Sequence, residues 1–267
     1  MHVRAKKHLG QHFLTDTHLA KKMVESLKPK EEGRVLEVGP GKGVLTQYLM
    51  EAFGKNFLAL DIDEESIAYL KNQYPDTDSE IRQGDFLETA PRLLKEGKWT
   101  IIGNFPYNIS SQIIFAILEN RQNVEEMVGM FQREVAERFR AVPSTKEYGI
   151  LSVLVQAFYK VDYLFSVKPG SFFPPPKVNS GVVKLSRLEN YELDCDEKMF
   201  FKVVKAGFNM RRKTLRNSLQ GDFPEIKNPE APFHSLRAEA LTVKDFIQLT
   251  RYLGDKKSGE QEKEKEY

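Results

Sequence analysis

Between residues 34 and 131 the chain alternates short apolar runs with stretches whose apolar residues recur every three or four positions. The runs are typical of buried strands, and the intervening periodicity is typical of amphipathic helices. Strands that are joined by helices pair in parallel, so the pattern predicts an open α/β sheet. Strands are predicted at 34–38, 56–60, 81–83, 99–103 and 124–131, and helices at 16–27, 44–53, 64–72, 110–119, 134–140 and 150–159.

The pattern changes after Arg187, where the chain becomes helical and polar. Amphipathic helices are predicted at 200–208, 211–219 and 242–253, and the last of them begins with a capping box. The sequence therefore predicts two domains and a tail. They are an α/β domain at 1–188, a small all-helical domain at 189–254, and a disordered tail of alternating Lys and Glu at 255–267.

A glycine-rich turn follows the first predicted strand, with glycine at positions 39, 41 and 43. It leads into a helix, whose first amides have no partner within the helix, and glycines let a ligand approach the backbone closely. A dinucleotide fingerprint requires glycine where Val44 stands, and a phosphate-binding Walker loop requires Ser or Thr where Gly43 stands. The compact spacing after Glu37 instead fits a nucleoside that carries an amino acid. A purely structural glycine turn is the alternative.

Carboxylates follow the next two predicted strands. Asp61 lies about 20 residues beyond the glycines, where βαβ nucleotide folds place an acid on the ribose hydroxyls. Asp63 is the second choice, because it can cap the following helix. After the third strand, Asp85 can accept from an adenine amine while Phe86 packs on the ring; a turn or helix-cap role for Asp85 is the alternative. Ligands of open α/β sheets bind at this carboxyl edge, so the series indicates one nucleoside site.

The fourth strand leads into Asn104, Phe105, Pro106 and Tyr107. The side-chain carbonyl of Asn104 and the backbone carbonyl of Phe105 can both accept from one amino group, and Tyr107 can stack on the attached ring. The loop is predicted at the same carboxyl edge as the glycines and carboxylates. A planar amine, specifically adenine, is therefore the predicted substrate group.

Two β-branched runs, 161–167 and 178–185, flank a proline-rich loop. They predict adjacent strands with a stiff connection, because the consecutive prolines 174–176 fix local backbone angles. The loop can hold Phe172 and Phe173 at the rim of a cleft. A rigid loop with apolar packing is the alternative.

Composition limits the setting of the protein. Its 267 residues carry a net charge of +2, and no apolar run approaches the roughly 18 to 20 residues of a membrane helix. The basic start lacks the apolar centre of a signal peptide, so we expect a cytoplasmic protein without a membrane partner. The only cysteine, Cys195, excludes an intrachain disulfide, and no Cys/His cluster predicts a metal site.

Lysine and arginine are concentrated in two segments without acids, the N-terminal arm and the run from 205 to 216. Basic patches on a nearly neutral protein suit a polyanion such as RNA. Solvated basic faces are the alternative. The candidate RNA-binding residues are Arg4, Lys6, Lys7, Arg211, Arg212, Lys213 and Arg216.

Taken together, these segments resemble the small-subunit ribosomal RNA adenine N6,N6-dimethyltransferases, which are class I S-adenosylmethionine-dependent methyltransferases. The resemblance extends to about Leu253. The matching segments are 11–14, 39–43, 104–107, 131–135, 172–178 and 211–218. Two positions depart from the family pattern: His12 stands where Asn is common, and Phe105 stands where Leu is usual. The family implies a Rossmann-like domain with a seven-stranded, mainly parallel sheet and a small C-terminal all-helical domain.

The resemblance also implies roles for individual residues. The cofactor is S-adenosylmethionine, and Phe172 is expected opposite Tyr107, so that the two rings sandwich an unpaired or flipped adenine. The residues implied to bind the cofactor are Gln11, His12, Leu14, Glu37, Gly39, Gly41, Asp61, Ile62, Asp85, Phe86 and Asn104. The residues implied in catalysis are Asn104, Phe105, Pro106, Tyr107 and Phe172.

The implied activity is methylation of two neighbouring adenosines near the 3′ end of small-subunit (16S) rRNA, in an assembling small ribosomal subunit. The free protein is expected to be a monomer. One alternative is a large-subunit rRNA methyltransferase of the resistance type, against which the segment 211–218 weighs. The others are a ribosome assembly checkpoint that acts mainly by binding, and a different nucleotide-binding α/β enzyme.

Overall fold

The computed structural model describes residues 3–30, 32–76 and 80–263, with backbone only for 257–263. The described chain forms two compact units. The first contains the residues up to 137 together with 160–187, and the second contains 138–159 together with the residues from 188 onward. The segment 138–159, which the sequence assigns to the α/β domain, thus groups with the helical unit.

The elements follow the predicted order, with ends that differ by a few residues. Along the chain they are β1 (Phe13–Leu14), α1 (Thr17–Glu25), β2 (Arg34–Val38), α2 (Thr46–Phe53), β3 (Phe57–Asp61), α3 (Glu64–Gln73), β4 (Ile81–Gln83), α4 (Phe86–Leu93), β5 (Trp99–Asn104), α5 (Ser110–Glu119), β6 (Val124–Gln132), α6 (Arg133–Arg140), α7 (Ile150–Phe158), β7 (Tyr159–Val167), β8 (Phe172–Phe173), β9 (Ser180–Arg187), α8 (Glu197–Asn209), α9 (Leu215–Leu219) and α10 (Val243–Lys263). Short 3₁₀ turns lie at Lys7–Leu9, Gly54–Asn56, Leu94–Glu96, Pro169–Ser171, Pro224–Lys227 and Ala238–Ala240.

The seven-stranded sheet has the order β4-β3-β2-β5-β6-β9-β7. The neighbouring pairs β4–β3, β3–β2, β2–β5 and β5–β6 are parallel, and β6 pairs with β9 in the antiparallel sense. All five residues of β3 are buried, as expected for a parallel strand that is covered on both faces. The predicted Rossmann-like, mainly parallel sheet is confirmed. The strands β1 and β8 form a separate antiparallel ribbon.

Helices α1 to α3 place their apolar faces in one core with the central strands. Met23, Leu49 and Leu70, one from each helix, are fully buried there with Val35 and Ala59 of the sheet. This packing fixes where each helix begins, and therefore the position of the loop between each strand end and the following helix.

The second unit is helical, as predicted. In it α7, α8 and α10 pack on one another. Helix α9 begins at Leu215, four residues later than predicted, because Thr214 has an extended backbone and forms an isolated β-bridge with Arg237.

Helix α10 continues to Lys263 and so covers part of the predicted disordered tail. Lys and Glu both favour helix, which explains the extension, and residues 264–267 of that tail lie outside the described residues. Among the helices of the described chain, none is both long and apolar enough to cross a bilayer.

Candidate active site

The carboxyl ends of β2 to β5 border one cavity of about 180 Å³. These four strands are neighbours in the sheet, so their ends meet at a single edge. The N-terminal arm forms another wall. The lining residues that the sequence singles out are Gln11, His12, Gly39, Gly41, Asp61, Ile62, Asp85, Phe86, Asn104, Phe105, Pro106 and Tyr107.

Asp61 joins the end of β3 to the glycine turn after β2. Its Oδ2 accepts from the amide of Gly41 at 3.1 Å, and its Oδ1 accepts from the amide of Asp63 at 2.9 Å. Burial raises the pKa of Asp61, although these bonds act in the opposite direction. Each oxygen keeps further acceptor capacity, so the residue can bind ribose hydroxyls while it holds the turn in place.

All three glycines of the turn have positive φ, and two of them, Gly39 and Gly41, line the larger cavity. Gly41 has φ +54°, and a Cβ there would lie 2.8 Å from the ring of Phe13. Gly39 has φ +73°, and apart from its chain neighbours no atom of the described residues lies within 4 Å of the position that its Cβ would take. The space beside Gly39 is therefore open to a ligand that approaches the backbone.

Glu37 and Leu14 lie beside a smaller cavity of about 20 Å³ and not among the residues that line the larger one. The two cavities share Gly39, Gly41 and Asn104 in their walls. Glu37 is fully buried; its Oε2 accepts from the Thr46 hydroxyl at 2.7 Å, while Oε1 has no hydrogen-bond partner within the described residues. Burial raises the pKa of Glu37 to about 8.

The arm is fastened at Asp63 rather than at Asp61. Asp63 caps α3 and accepts from the ammonium of Lys6, from Gln11 Nε2 and from the Ser66 hydroxyl. Burial acts to raise the pKa of Asp63, but these bonds lower it below its ordinary value. The Gln11 amide is thus used to hold the arm, since its oxygen also accepts from the backbone amide of Lys6.

Asp85 combines the two functions that the sequence left open. It caps α4, with Oδ1 accepting from the amide of Leu87 at 2.7 Å, and it also lines the larger cavity. Phe86, the first residue of α4, is 4% exposed and lines the same wall. A capping carboxylate keeps acceptor capacity on its second oxygen.

Asn104 ends β5 and is held by the arm. Its Nδ2 donates to the main-chain carbonyl of His12 at 2.7 Å. A carbonyl only accepts, so this bond fixes the orientation of the amide and leaves Oδ1 as the acceptor for a ligand. A neutral amide therefore supplies the hydrogen-bond acceptor that an amino group requires.

Phe105 anchors the loop from below, which the sequence did not indicate. Its ring is 1% exposed and packs on Phe131, with ring centroids 5.1 Å apart. A Cβ on Gly103 or Gly129 would collide with this ring. Two strand glycines therefore make room for the phenyl group that replaces the usual Leu. The glycines at 103 and 129, which face each other across β5 and β6, were the available signal.

Tyr107 is fixed at both its hydroxyl and its ring. The hydroxyl shares a hydrogen bond of 2.6 Å with Ser180, and the ring stacks with His12 at a centroid distance of 5.5 Å. Burial raises the pKa of Tyr107, with the Ser180 bond opposing that rise, so the phenol is protonated at neutral pH. Neither Ser180 nor the ring of His12 was a candidate for this contact from the sequence.

Phe172 is buried in the core and is not among the residues that line the larger cavity, whereas the sequence predicts it at the rim of a cleft. In the β1–β8 ribbon Phe172 is opposite Leu14, is 4% exposed and belongs to the core, whereas Phe173 is opposite Phe13 and is 64% exposed. Successive side chains of a strand point to opposite faces, so only one of the two phenylalanines can face outward. The exposed ring of the proline loop is that of Phe173.

The candidate RNA-binding residues fall into two groups. Lys6 and Arg211 are engaged with acids of the protein, Lys6 with Asp63 and Glu65 and Arg211 with Glu239. Arg211 is nevertheless exposed, and so are the other five. They are Arg4 and Lys7 in the first unit, and Arg212, Lys213 and Arg216 in the second.

The chain is similar to known proteins over almost its whole length. Residues 2–254 match the family model described as ribosomal RNA adenine dimethylase. The ribosomal RNA small subunit methyltransferase A of Cytophaga hutchinsonii is 51% identical over 255 residues, covering 95% of this chain and 99% of that protein. A crystal structure of a dimethyladenosine transferase from Plasmodium falciparum has 28% identity and a TM-score of 0.77, covering 92% of this chain and 98% of that one. The 23S rRNA methyltransferase ErmE is similar in fold alone, with a TM-score of 0.66 and 22% identity, covering 91% of this chain and 99% of that one.

Proposed function

Since the chain belongs to the ribosomal RNA adenine dimethylase family, we propose that it transfers methyl groups from S-adenosylmethionine to two adjacent adenosines near the 3′ end of 16S rRNA. The product is N6,N6-dimethyladenosine in the small ribosomal subunit. The observation that carries this proposal is the bond from Asn104 to the His12 carbonyl, because it presents Oδ1 as an acceptor at the end of β5. An exocyclic amine needs such an acceptor, and the neighbouring Tyr107 supplies an aromatic face for its ring.

The larger cavity and the smaller one beside it fit the cofactor on three observations. Within the described residues Glu37 has a buried oxygen without a hydrogen-bond partner, the space beside Gly39 is open, and Asp61 retains acceptor capacity. Asp61 is assigned to the ribose hydroxyls, and Asp85, Ile62 and Phe86 to the adenine ring and its amine. Glu37 and the glycine turn are assigned to the amino-acid end. S-adenosylmethionine, when bound, supplies an electrophilic methyl group on its sulfonium.

The protein contributes alignment. Oδ1 of Asn104 and the backbone carbonyl of Phe105 accept the two amine hydrogens of the target adenine. Accepting hydrogen bonds from both N–H groups favours a pyramidal nitrogen. The lone pair of that nitrogen is then less delocalised into the ring and is available to attack the methyl group. Holding two reactants in this geometry accounts for much of the rate enhancement expected of such an enzyme. After transfer, the extra proton leaves the nitrogen for water.

Tyr107 acts as a stacking surface and not as a base. Its phenol keeps its proton at neutral pH because burial raises its pKa. The target base must be unpaired or turned out of its helix to reach this ring. Stacking of a base on an aromatic side chain is worth about 1 to 3 kcal/mol.

RNA binding is assigned to the exposed basic residues of both units. Arg4 and Lys7 belong to the arm beside the cavity, and Arg212, Lys213 and Arg216 belong to the helical unit. We assign catalysis to the first unit alone, and RNA binding is the one function assigned to the second. The protein is proposed to act as a monomer in the cytoplasm, where small subunits assemble.

The test is methyl transfer from labelled S-adenosylmethionine to purified small and large subunits that lack their adenine modifications, followed by nucleoside analysis. We expect dimethyladenosine at two adjacent positions of 16S rRNA and none in the large subunit. Transfer to the large subunit instead would support a resistance-type enzyme. Binding of cofactor and small subunit without any transfer would support an assembly factor.

A further inference from the structure

His12 connects three segments of the candidate site through its backbone and its side chain. Its carbonyl accepts from Asn104, its Nδ1 lies 2.7 Å from the carbonyl oxygen of Pro174, and its ring stacks on Tyr107 with an interplanar angle of 29°. The arm, the Asn104–Tyr107 loop and the proline loop therefore meet at one residue. His12 is also the position at which the chain departs from the family's usual Asn.

The hydrogen bond to Pro174 defines the state of the imidazole. A carbonyl oxygen accepts and cannot donate, so Nδ1 carries the hydrogen. The ring is thus held at Nδ1, while the backbone of the same residue is held at its carbonyl by Asn104. The following residue, Phe13, is paired in the β1–β8 ribbon. Because its ring and its backbone are both held, His12 forms a fixed wall of the site.

That wall covers one face of Tyr107. A stacked neighbour excludes a base from the face that it occupies, so an incoming purine has the remaining face of the ring. The hydroxyl bond to Ser180 prevents Tyr107 from turning away without the loss of a 2.6 Å contact. Restricting the base to one face also restricts the direction of its exocyclic amine.

We propose that His12 is a positioning residue for the target base: its carbonyl orients the amide of Asn104, and its imidazole leaves adenine one face of Tyr107, with the amine directed at Asn104 Oδ1. The inference rests on the proposed adenine methylation at this site. It assigns to the side chain of residue 12 a function separate from cofactor binding. The ring fixes the pose of the base, and the effect is therefore expected in the rate of transfer at saturating substrate.

The test compares three substitutions that separate the ring from its hydrogen bond. His12→Phe keeps the stacked ring and loses the bond to Pro174, His12→Asn keeps a polar donor and loses the ring, and His12→Ala loses both. His18→Ala is the matched control, since His18 is exposed on α1 and lies outside the cavity walls. Each protein is assayed for S-adenosylmethionine affinity by calorimetry, for thermal unfolding, and for single-turnover methylation of unmodified small subunits.

We expect His12→Ala and His12→Asn to slow single-turnover transfer by about fivefold to tenfold, as loss of an aromatic pair predicts, with cofactor affinity nearly unchanged. His12→Phe recovers most of that rate, and the subunit KM changes little in all three. Equal rates for His12→Phe and His12→Asn would overturn the proposal. So would a parallel loss of cofactor affinity, or a faster rate in His12→Ala, which would mean that the imidazole occupies the position of the base. An inactive wild-type protein would instead refute the proposed methylation itself.

Discussion

The amide nitrogen of Asn104 donates to the carbonyl oxygen of His12 across 2.7 Å, although 92 positions separate the two residues in the chain. The bond joins the N-terminal arm to the end of β5. It makes the arm a part of the site, because the arm determines which atom of the Asn104 amide is available to a ligand. Lys6 and Gln11 hold the same arm at the cap of α3, through Asp63.

Alanine substitutions of the two phenylalanines of β8 are expected to have opposite effects on stability and on RNA binding. Phe172→Ala removes a buried ring from the core and is expected to lower the free energy of unfolding by about 3 to 5 kcal/mol. Phe173→Ala removes an exposed ring and is expected to leave stability within about 0.5 kcal/mol. If Phe173 stacks on RNA, its loss weakens subunit binding by about 1 to 3 kcal/mol. Urea unfolding and subunit binding measure the two effects.

The reverse outcome would contradict this arrangement. A stable Phe172→Ala protein with impaired RNA binding would support the position opposite Tyr107 that the family resemblance implies for Phe172.

The packing of Phe105 on a strand glycine predicts sensitivity at Gly129, a position outside the walls of both cavities. In Gly129→Ala the new Cβ would lie 2.6 Å from Cε2 of Phe131 and would also collide with the ring of Phe105. We expect a loss of about 1 to 3 kcal/mol in stability and a lower transfer rate in the protein that remains folded, because the loop above Phe105 must shift.

Gly170→Ala is the matched control for that experiment. No atom lies within 4 Å of the position of its Cβ, and its φ is not positive. The control is expected to have the same stability and the same rate of methyl transfer as the wild type. Equal behaviour of the two variants would show that Phe105 does not depend on the glycine beneath it.

The buried carboxyl of Glu37 predicts a pH dependence of stability. Burial raises its pKa to about 8 in the folded protein, against an ordinary value of 4.5 for the exposed side chain. The folded protein therefore retains a proton that the unfolded chain releases between these values. This contribution is fully present below pH 4.5 and is lost as the pH rises through about 8. Stability of the wild type should accordingly fall across that window.

Glu37→Gln keeps the shape of the side chain and cannot titrate. Urea unfolding at several pH values between 5 and 9 should give a flatter profile for this variant than for the wild type. Parallel profiles would mean that Glu37 is ionised in the folded protein.

The sequence predicted the sheet and its carboxyl edge well, because both depend on local signals. Apolar runs located β2 to β6 to within about two residues, and the residues that directly follow β2, β3, β4 and β5 were the ones that met at the cavity. Parallel βαβ connections leave little freedom in where such residues lie. The helix cap at Asp63 was also predictable, because it too depends on a local signal.

Contacts between distant segments were not predictable in this way. The order Phe172-Phe173 does not reveal which ring points outward, because that depends on the register of an isolated ribbon two residues long. The grouping of α7 with the helical unit depends on its packing against α8, which lies some 40 positions later. The stack of His12 on Tyr107 likewise needs three loops to be placed at once.

The most direct test of the account concerns the orientation of the Asn104 amide. Asn104→Ala removes the acceptor, and Asn104→Asp places a carboxylate oxygen against the His12 carbonyl, so both should reduce methyl transfer at least about 100-fold. S-adenosylmethionine affinity, measured on the same proteins by calorimetry, should stay close to that of the wild type. Loss of cofactor binding in parallel with transfer would assign Asn104 to folding or to the cofactor, and normal transfer by either variant would contradict the proposed mechanism.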